Sequence, residues 1–216
     1  MTFKFIIYGF YLLVVLSYGL YNFNKITRPF KYVVALIFTA LVLELYGKLS
    51  VVMGAASDHY IFHFCAVSFI FLNFLIYRQL LKQANKIIRQ IVLIVSICAL
   101  AGTLANSFFY QVYPVFPSIG ISLHAGQTII LSLLVFQEMI KKPLKESLIY
   151  QPLFWLNTGN LFFYTFTFLV FAFFNFFKET VAIYSWLLPF VWIAALAMYT
   201  CYFAALYLDK NRMHAN

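Results

Sequence analysis

Residues 59–81 read HYIFHFCAVSFIFLNFLIYRQLL, an apolar run that few polar side chains interrupt. An α-helix rises about 1.5 Å per residue, so about 20 residues cross a hydrocarbon core of about 30 Å. The run is therefore long enough to span a membrane. Arg78 and Lys82 lie at its end, where charged residues commonly flank a transmembrane helix.

Similar apolar runs recur along the whole chain, separated by short stretches that contain proline or charged residues. The first run has no convincing small-x-small cleavage signal, so we expect it to be retained as a helix. We predict an all-α polytopic membrane protein, with residues 1–216 forming one seven-helix domain. The predicted spans are roughly 4–23, 30–49, 59–81, 87–108, 119–140, 153–177 and 180–207.

The composition excludes a soluble protein. Hydrophobic residues make up 64% of the chain and charged residues only 10%, far from the average of soluble domains. The net charge of +9 raises the alternative of nucleic-acid binding, but the basic residues lie between the apolar runs, so we predict a bilayer and no nucleic acid as partner. The three cysteines are odd in number and far apart, which argues against a disulfide framework.

The distribution of Lys and Arg predicts the orientation. Twelve of the fifteen fall in loops one, three and five or at the C-terminus, whereas only Lys4, Lys48 and Lys178 fall on the other side. Because cytoplasmic loops are enriched in Lys and Arg, we predict a cytoplasmic C-terminus and an external N-terminus in a bacterial inner membrane. The twelve residues are Lys25, Arg28, Lys31, Arg78, Lys82, Lys86, Arg89, Lys141, Lys142, Lys145, Lys210 and Arg212.

Polar residues within the spans recur at helical spacing, as expected if each stripe faces other helices or a wet cavity. The stripe of the third span is His59, His63, Ala66, Ile70, Asn73 and Tyr77, and that of the fifth is Gly120, His124, Gln127, Leu131 and Glu138. Glu44, His63 and His124 each lie about five residues from the outer end of a span. We therefore predict an outward-facing polar pocket that binds a ligand through Glu44, His59, His63, Asn106, His124 and Gln127.

Simpler interpretations stay open for the same residues. Glu44 and Lys48 are four residues apart in the order that favours an ion pair on a helix, and buried histidines are often hydrogen-bonded structural residues. Asp58 or Ser57 is expected to be the N-cap of helix three.

Two chemistries suit the predicted pocket. Two imidazoles and a carboxylate from His63, His124 and Glu44 would give zinc three protein ligands and one open position, which predicts a metal-dependent lipid hydrolase within the membrane. Alternatively, the pocket binds a small ligand, with histidine protonation acting as a switch. No HExxH motif occurs, no catalytic residue is assigned, and residues 180–207 contain no Lys for a retinal Schiff base.

The stretch YQPLFWLNTGNLFFYTFTFLVF, residues 150–171, contains a Pro-x-Phe-Trp pattern followed by Gly-x-Leu-x-x-Tyr. It resembles uncharacterised seven-helix integral membrane proteins of Bacteroidota, and the overall plan matches over nearly the whole chain. The resemblance implies a sensory role beside two-component signalling. The residues that carry it are Pro152, Phe154, Trp155, Gly159, Leu161 and Tyr164.

The leading prediction is a multi-pass protein of receptor or sensor type. Its outer-leaflet pocket would bias helix packing, and a separate cytoplasmic or membrane partner would contact the basic loops RQLLKQANK and KKPLKESLIYQP. The alternatives are the metal-dependent lipid hydrolase and a small-solute transporter with a site near Asn73 and Asn157 or Asn160. The basic loops have a simpler interpretation, in which they only satisfy the charge rule and anionic head groups.

Overall fold

The computed structural model describes residues 3–54, 59–113, 115–141, 147–173 and 181–215. Within these ranges the chain forms seven α-helices and no strand, which confirms the all-α prediction. The helices are α1 Phe3–Tyr21, α2 Arg28–Val52, α3 His59–Leu80, α4 Lys86–Ala105, α5 Ser118–Lys141, α6 Pro152–Ala172 and α7 Val181–Ala215.

Six of the seven helices are long and apolar enough to cross a membrane, and α1 contributes a shorter apolar stretch, Ile7–Tyr21. The helix ends agree closely with the predicted spans in most places. Three differ. After Ala105, α4 continues as a π-helical turn, Asn106–Tyr110, and α7 extends beyond residue 207 to Ala215. Helix α6 ends at Ala172, whereas the predicted span continues to residue 177, of which 174–177 lie outside the described residues. Hydropathy marks only the apolar part of a helix, so it misses a helical end that continues into polar sequence. The predicted N-cap at Asp58 lies outside the described residues.

Local sequence signals explain where several helices begin. Pro29 lies in the first turn of α2 and Pro152 is the first residue of α6, positions where the missing backbone N–H of proline costs no helical hydrogen bond. Asn85 is the N-cap of α4, and its Oδ1 accepts a hydrogen bond of 2.8 Å from the backbone N–H of Ile88.

The helices pack mostly against their neighbours in the chain, and contacts of α1 with α7 close the bundle. Helices α3 and α5 contact each other directly, and α4 packs against both. Helix α4 therefore lies on the outside of the α3–α5 pair. Its apolar stretch is 28% buried, compared with 50% for α5, so α5 is central and α4 presents most of its surface to lipid.

Helices α6 and α7 approach each other closely at Gly159. A Cβ atom at this position would lie 2.7 Å from the Cβ of Cys201 and 3.2 Å from the backbone oxygen of Met198. Small residues at helix interfaces allow this close packing in membranes, where no hydrophobic effect drives helices together.

At the predicted cytoplasmic end, α7 is fastened to the beginning of α2. The Asp209 carboxylate accepts hydrogen bonds from the backbone N–H of Thr27 at 2.7 Å and from the Thr27 hydroxyl at 3.0 Å. Thr27 is the N-cap residue of α2. Its own side chain caps no backbone N–H, and a carboxylate at a helix N-terminus is favoured by the helix dipole. Asp209 thus supplies this end with an acceptor from another helix.

Candidate functional site

The predicted outer end of α3 is joined to the connection between α4 and α5 through His63, which is 8% exposed. Its Nε2 lies 2.9 Å from the carbonyl oxygen of Val115, and its Nδ1 lies 2.7 Å from Oγ of Ser107. A carbonyl oxygen only accepts, so Nε2–H donates to Val115, while the Ser107 hydroxyl can pair with Nδ1 as donor or acceptor. Both ring nitrogens therefore have partners within the protein.

The π-helical turn at the end of α4 organises a second set of contacts. Gln111 Oε1 accepts hydrogen bonds from Asn106 Nδ2 and from the backbone N–H of Ile119, both at 3.0 Å, and its Nε2 donates to Ser118 Oγ at 2.8 Å. Gln111 thus links the end of α4 to the first turn of α5. The polar residues of these contacts are buried. Single π-helical turns occur frequently at functional sites.

Deeper in the bundle, Asn73 of α3 meets two residues of α5. Its Nδ2 donates to His124 Nε2 at 2.8 Å and to Thr128 Oγ1 at 2.9 Å. The Thr128 hydroxyl in turn donates to the backbone oxygen of His124. The Tyr164 ring of α6 packs edge-on against the imidazole, with ring centres 4.9 Å apart. With Nε2 accepting, the neutral His124 ring carries its proton on Nδ1.

The next polar contacts toward the predicted cytoplasmic end connect four helices in a row. Asn160 Nδ2 donates to Tyr77 Oη at 2.7 Å, so the Tyr77 hydroxyl can donate to Ser132 Oγ at 2.5 Å. The Tyr202 hydroxyl donates to Asn160 Oδ1 at 2.5 Å. These four residues come from α5, α3, α6 and α7, and each is at most 1% exposed.

These hydrogen bonds form three groups at different levels of α3, around His63, Asn73 and Tyr77, and we call the three groups together the interhelical network. Asn73 and Tyr77 are one helical turn apart on α3, as are Thr128 and Ser132 on α5. The network therefore meets α5 at successive turns and reaches α6 and α7 at its predicted cytoplasmic end. It consists of His63, Asn73, Tyr77, Ser107, His124, Thr128, Ser132, Asn160 and Tyr202.

Gln127 joins three helices beside this network. Its Nε2 donates to the backbone oxygen of Ile70 in α3 at 3.2 Å and to Ser96 Oγ in α4 at 2.9 Å. This contact fixes the outlying helix α4 to the α3–α5 pair. A polar residue in the middle of a membrane helix is costly unless it is paired, and the amide nitrogen of Gln127 meets that requirement.

The six residues of the predicted ligand site take part in several different contacts. His63 and Asn106 lie at the outer end, His124 lies in the middle of the interhelical network, and Gln127 faces α4. His59 packs edge-on against the Phe116 ring at 5.6 Å. Glu44 lines a separate cavity of about 40 Å³ between α2 and α3, together with Leu43, Gly47, Lys48, Ile61, Phe62 and Cys65.

A zinc site was the other prediction for this region. In the part of the chain that the structure describes, no group of three His, Cys, Asp or Glu side chains is placed to hold a metal ion. The ring nitrogens of His63 are occupied by Ser107 and Val115. Zinc binding by Glu44, His63 and His124 stays a prediction.

Among the residues that the structure describes, several buried side-chain oxygen atoms have no hydrogen-bond partner. Two belong to side chains whose amide nitrogens hold helices together, namely Asn73 Oδ1 and Gln127 Oε1. Two more, Asn106 Oδ1 and Thr103 Oγ1, lie toward the outer end of α4. Burying a polar atom without a partner is unfavourable, so these oxygens are available to accept from a polar molecule within the bundle.

Sequence reasoning found the α3 and α5 stripes but missed Gln111, Tyr202 and Ser132. Gln111 lies in an uncharged, aromatic loop, where no helical periodicity marks it. Tyr202 and Ser132 are common types in apolar helices, and only the packing of the helices shows that Tyr202 meets Asn160 and that Ser132 meets Tyr77. Tyr202 follows Tyr199 and Cys201 in α7. The polar residues of this helix do not gather on one face, so helical periodicity does not single out Tyr202.

The motif in α6 has a structural role at most of its positions. Pro152 begins the helix, the Trp155 Nε1–H donates to the backbone oxygen of Ile149 at 2.8 Å, and Tyr164 packs against His124. Gly159 allows the approach of α7. Phe154 packs edge-on against Phe136 of α5 at 6.2 Å.

Comparisons with protein-family models, with curated proteins and with solved structures gave no match. The resemblance to the Bacteroidota proteins therefore stays a prediction. The structure supports an all-α bundle with six helices able to cross a membrane, and thus a multi-pass membrane protein in contact with lipid.

Proposed function

We propose that this protein is a sensor-type membrane protein, in which an event at the outer end of α3 changes helix packing at the cytoplasmic end. The observation that carries the proposal is the interhelical network. It ties α3 to α5 at successive turns and continues into α6 and α7.

Such a network favours discrete arrangements over continuous sliding. Apolar contacts are non-directional, whereas hydrogen bonds require defined positions of donor and acceptor. In the hydrocarbon region no bulk water replaces a broken bond. A displacement of α3 that breaks Asn73 from His124 must therefore be followed by re-pairing elsewhere, which is the behaviour expected of a two-state element.

The outer end offers a place for a ligand to act. His63 is held by the Val115 carbonyl in the loop between α4 and α5, and the Tyr113 ring lies 6.0 Å from its imidazole. Tyr113 and Val115 are both more than half exposed. A small hydrogen-bonding ligand that competes for the Val115 carbonyl or the Ser107 hydroxyl would release α3 from this loop.

A partner protein would detect the change at the predicted cytoplasmic end of α3. Arg78 lies in its last turn, and the basic stretch through Arg89 follows directly. A separate cytoplasmic or membrane partner that contacts this stretch would sense a shift of α3 relative to α6.

Spin labels on the predicted cytoplasmic side test this coupling. In a variant with the three native cysteines replaced by alanine, labels at Lys86→Cys and Tyr150→Cys report the distance between the first residue of α4, just after the α3–α4 loop, and the turn before α6. We expect His63→Ala to shift or broaden the distance distribution by about 1 to 2 Å, the size of typical helix shifts in signalling. The measurement is double electron–electron resonance in lipid nanodiscs.

The matched control is Phe64→Ala, the next residue on α3, whose side chain is 63% exposed. It removes a larger side chain but no contact of the interhelical network, so the wild-type distance is expected. If His63→Ala and Phe64→Ala give the same distribution as the parent protein, the coupling does not exist. Stoichiometric zinc that is lost in His63→Ala would instead support the metal-dependent lipid hydrolase.

The small-solute transporter is a second candidate, favoured by the unpartnered oxygens Asn73 Oδ1 and Gln127 Oε1. Both are acceptors buried in the apolar part of the bundle, where a solute with N–H or O–H groups would find partners. Uptake of a labelled solute into proteoliposomes, abolished in Asn73→Leu and Gln127→Leu but retained in Thr39→Val, whose hydroxyl donates only to the Ala35 carbonyl of its own helix, would support transport over sensing.

A further inference from the structure

A cleft opens between the predicted cytoplasmic ends of α3 and α4, with a volume of about 480 Å³. Three of its lining residues are basic and none is acidic. Arg78 comes from the last turn of α3, Lys82 from the following loop and Arg89 from the first turns of α4. The other lining residues are Phe74, Gln79, Leu81, Val92 and Leu93.

The positive charge of the cleft has no compensating acid nearby in the sequence. The first turn of α4 contains no acidic residue, although the N-terminus of a helix already carries partial positive charge. Arg89 of the cleft lies near this end, which is electrostatically unfavourable. Asn85 caps the backbone N–H of Ile88 but brings no negative charge. A bound anion would relieve this repulsion.

The same cleft has an apolar side. The Arg78 guanidinium carbon lies 5.8 Å from the centre of the Phe74 ring, so the cation is held beside an aromatic surface. Leu93, which is 47% exposed, continues the apolar wall toward the middle of α4. Cations at one end and exposed apolar side chains at the other are complementary to an amphiphile rather than to a small hydrophilic ion.

We propose that this cleft binds the phosphate headgroup of an anionic phospholipid from the cytoplasmic leaflet. The phosphate would lie among Arg78, Lys82 and Arg89, and an acyl chain would follow Phe74 and Leu93. Basic clusters at the cytoplasmic boundary of transmembrane helices attract anionic lipids. This site is distinct from the interhelical network, and it does not depend on the proposed sensory role.

Native mass spectrometry of the protein released from nanodiscs tests the proposal. The discs contain phosphatidylcholine with increasing phosphatidylglycerol, and the number of retained phosphatidylglycerol molecules gives an apparent affinity. The cleft variant combines Arg78→Gln, Lys82→Gln and Arg89→Gln. We expect it to bind phosphatidylglycerol at least tenfold more weakly, because each basic residue near an anionic surface contributes roughly fivefold in affinity.

The matched control combines Lys25→Gln, Lys31→Gln and Lys86→Gln. It removes the same charge from the same predicted side of the membrane but leaves the cleft intact, so near wild-type affinity is expected. An equal loss in both triple variants would overturn the proposal in favour of diffuse attraction to the bilayer surface. Displacement of the lipid by millimolar inorganic phosphate would overturn it in favour of a site for free phosphate.

A pair of single variants keeps the test decisive if the cleft triple variant fails to fold. Arg89 and Lys86 are three residues apart on α4 and both are exposed, but only Arg89 lines the cleft. Arg89→Gln is expected to weaken phosphatidylglycerol retention several-fold, and Lys86→Gln is expected to leave it unchanged. Equal behaviour of the two single variants contradicts the assigned site.

Discussion

Replacement of Gly159 by alanine is expected to destabilise the bundle by about 1 to 3 kcal/mol, the usual cost of overpacking a close-packed interface. The added methyl group would lie 2.7 Å from the Cβ of Cys201 and 3.2 Å from the Met198 carbonyl oxygen. Neither atom is the end of a flexible side chain, so α6 and α7 must separate. Thermal unfolding in a fixed detergent or lipid should show the loss as a lower midpoint.

Gly9→Ala is the control for this prediction. Gly9 also lies within a helix, and among the described residues no atom outside its own helical backbone lies within 4 Å of a Cβ added there. Alanine favours the helix more than glycine does, by up to about 1 kcal/mol, so an unchanged or slightly higher midpoint is expected. A Gly159→Ala protein as stable as the Gly9→Ala protein would show that α6 and α7 do not approach as closely as described.

The clash itself can be tested with a second substitution. In the Gly159→Ala, Cys201→Gly double variant, the two residues exchange the small side chain across the interface. Part of the lost stability should return. The double variant should therefore be more stable than the sum of the two single-substitution effects predicts. Recovery will be incomplete because the Met198 carbonyl oxygen remains 3.2 Å from the new methyl group.

Asn160→Leu should produce the second large effect, a loss of about 2 kcal/mol. The substitution removes the donor to Tyr77 and the acceptor of Tyr202, and it leaves the Tyr202 hydroxyl buried at 1% exposure. A buried polar group without a hydrogen-bond partner lowers the free energy of unfolding by about 1 to 3 kcal/mol. The measured contribution of one hydrogen bond between membrane helices to stability is smaller on average than this cost, with a maximum near 1.7 kcal/mol. Unfolding measured in the same lipid as wild type gives the difference.

Asn157→Leu is the matched control for the Asn160 substitution. Asn157 is fully buried on the same helix, but its amide donates only locally to the Leu153 carbonyl, and its oxygen has no partner. The loss of stability should therefore be clearly smaller. Adding Tyr202→Phe to Asn160→Leu should restore part of the stability, because no hydroxyl remains stranded. If both asparagine variants behave alike, Asn160 does not connect the helices energetically.

Much of the fold follows from the sequence because hydrocarbon imposes strong rules on it. A run such as 119–140 must form a helix, since every backbone N–H and C=O in lipid needs an internal partner. The helix α5 at Ser118–Lys141 agrees within a residue at each end. The π-helical turn after Ala105 was not predictable, because it depends on the contact of Asn106 with Gln111 and not on hydropathy.

The candidate site was predictable only in part. Helical periodicity placed Asn73, Tyr77 and His124 on inward faces, and all three are buried. Periodicity gives the face of one helix but not its rotation and height relative to another. For this reason the sequence did not reveal that Asn160 would meet Tyr77, or that Gln127 would face α4 while His124 faces α3.

The bond between Asp209 and Thr27 has a consequence for the order of events at the ribosome. The two residues are 182 positions apart, so the acceptor for the Thr27 N–H is synthesised only after all the other helices have begun to insert. Until then the backbone N–H of Thr27 can donate to water at the predicted cytoplasmic surface. The helix pair α1 and α2 thus lacks this hydrogen bond during translation. The pair gains the bond only when the last helix has been synthesised.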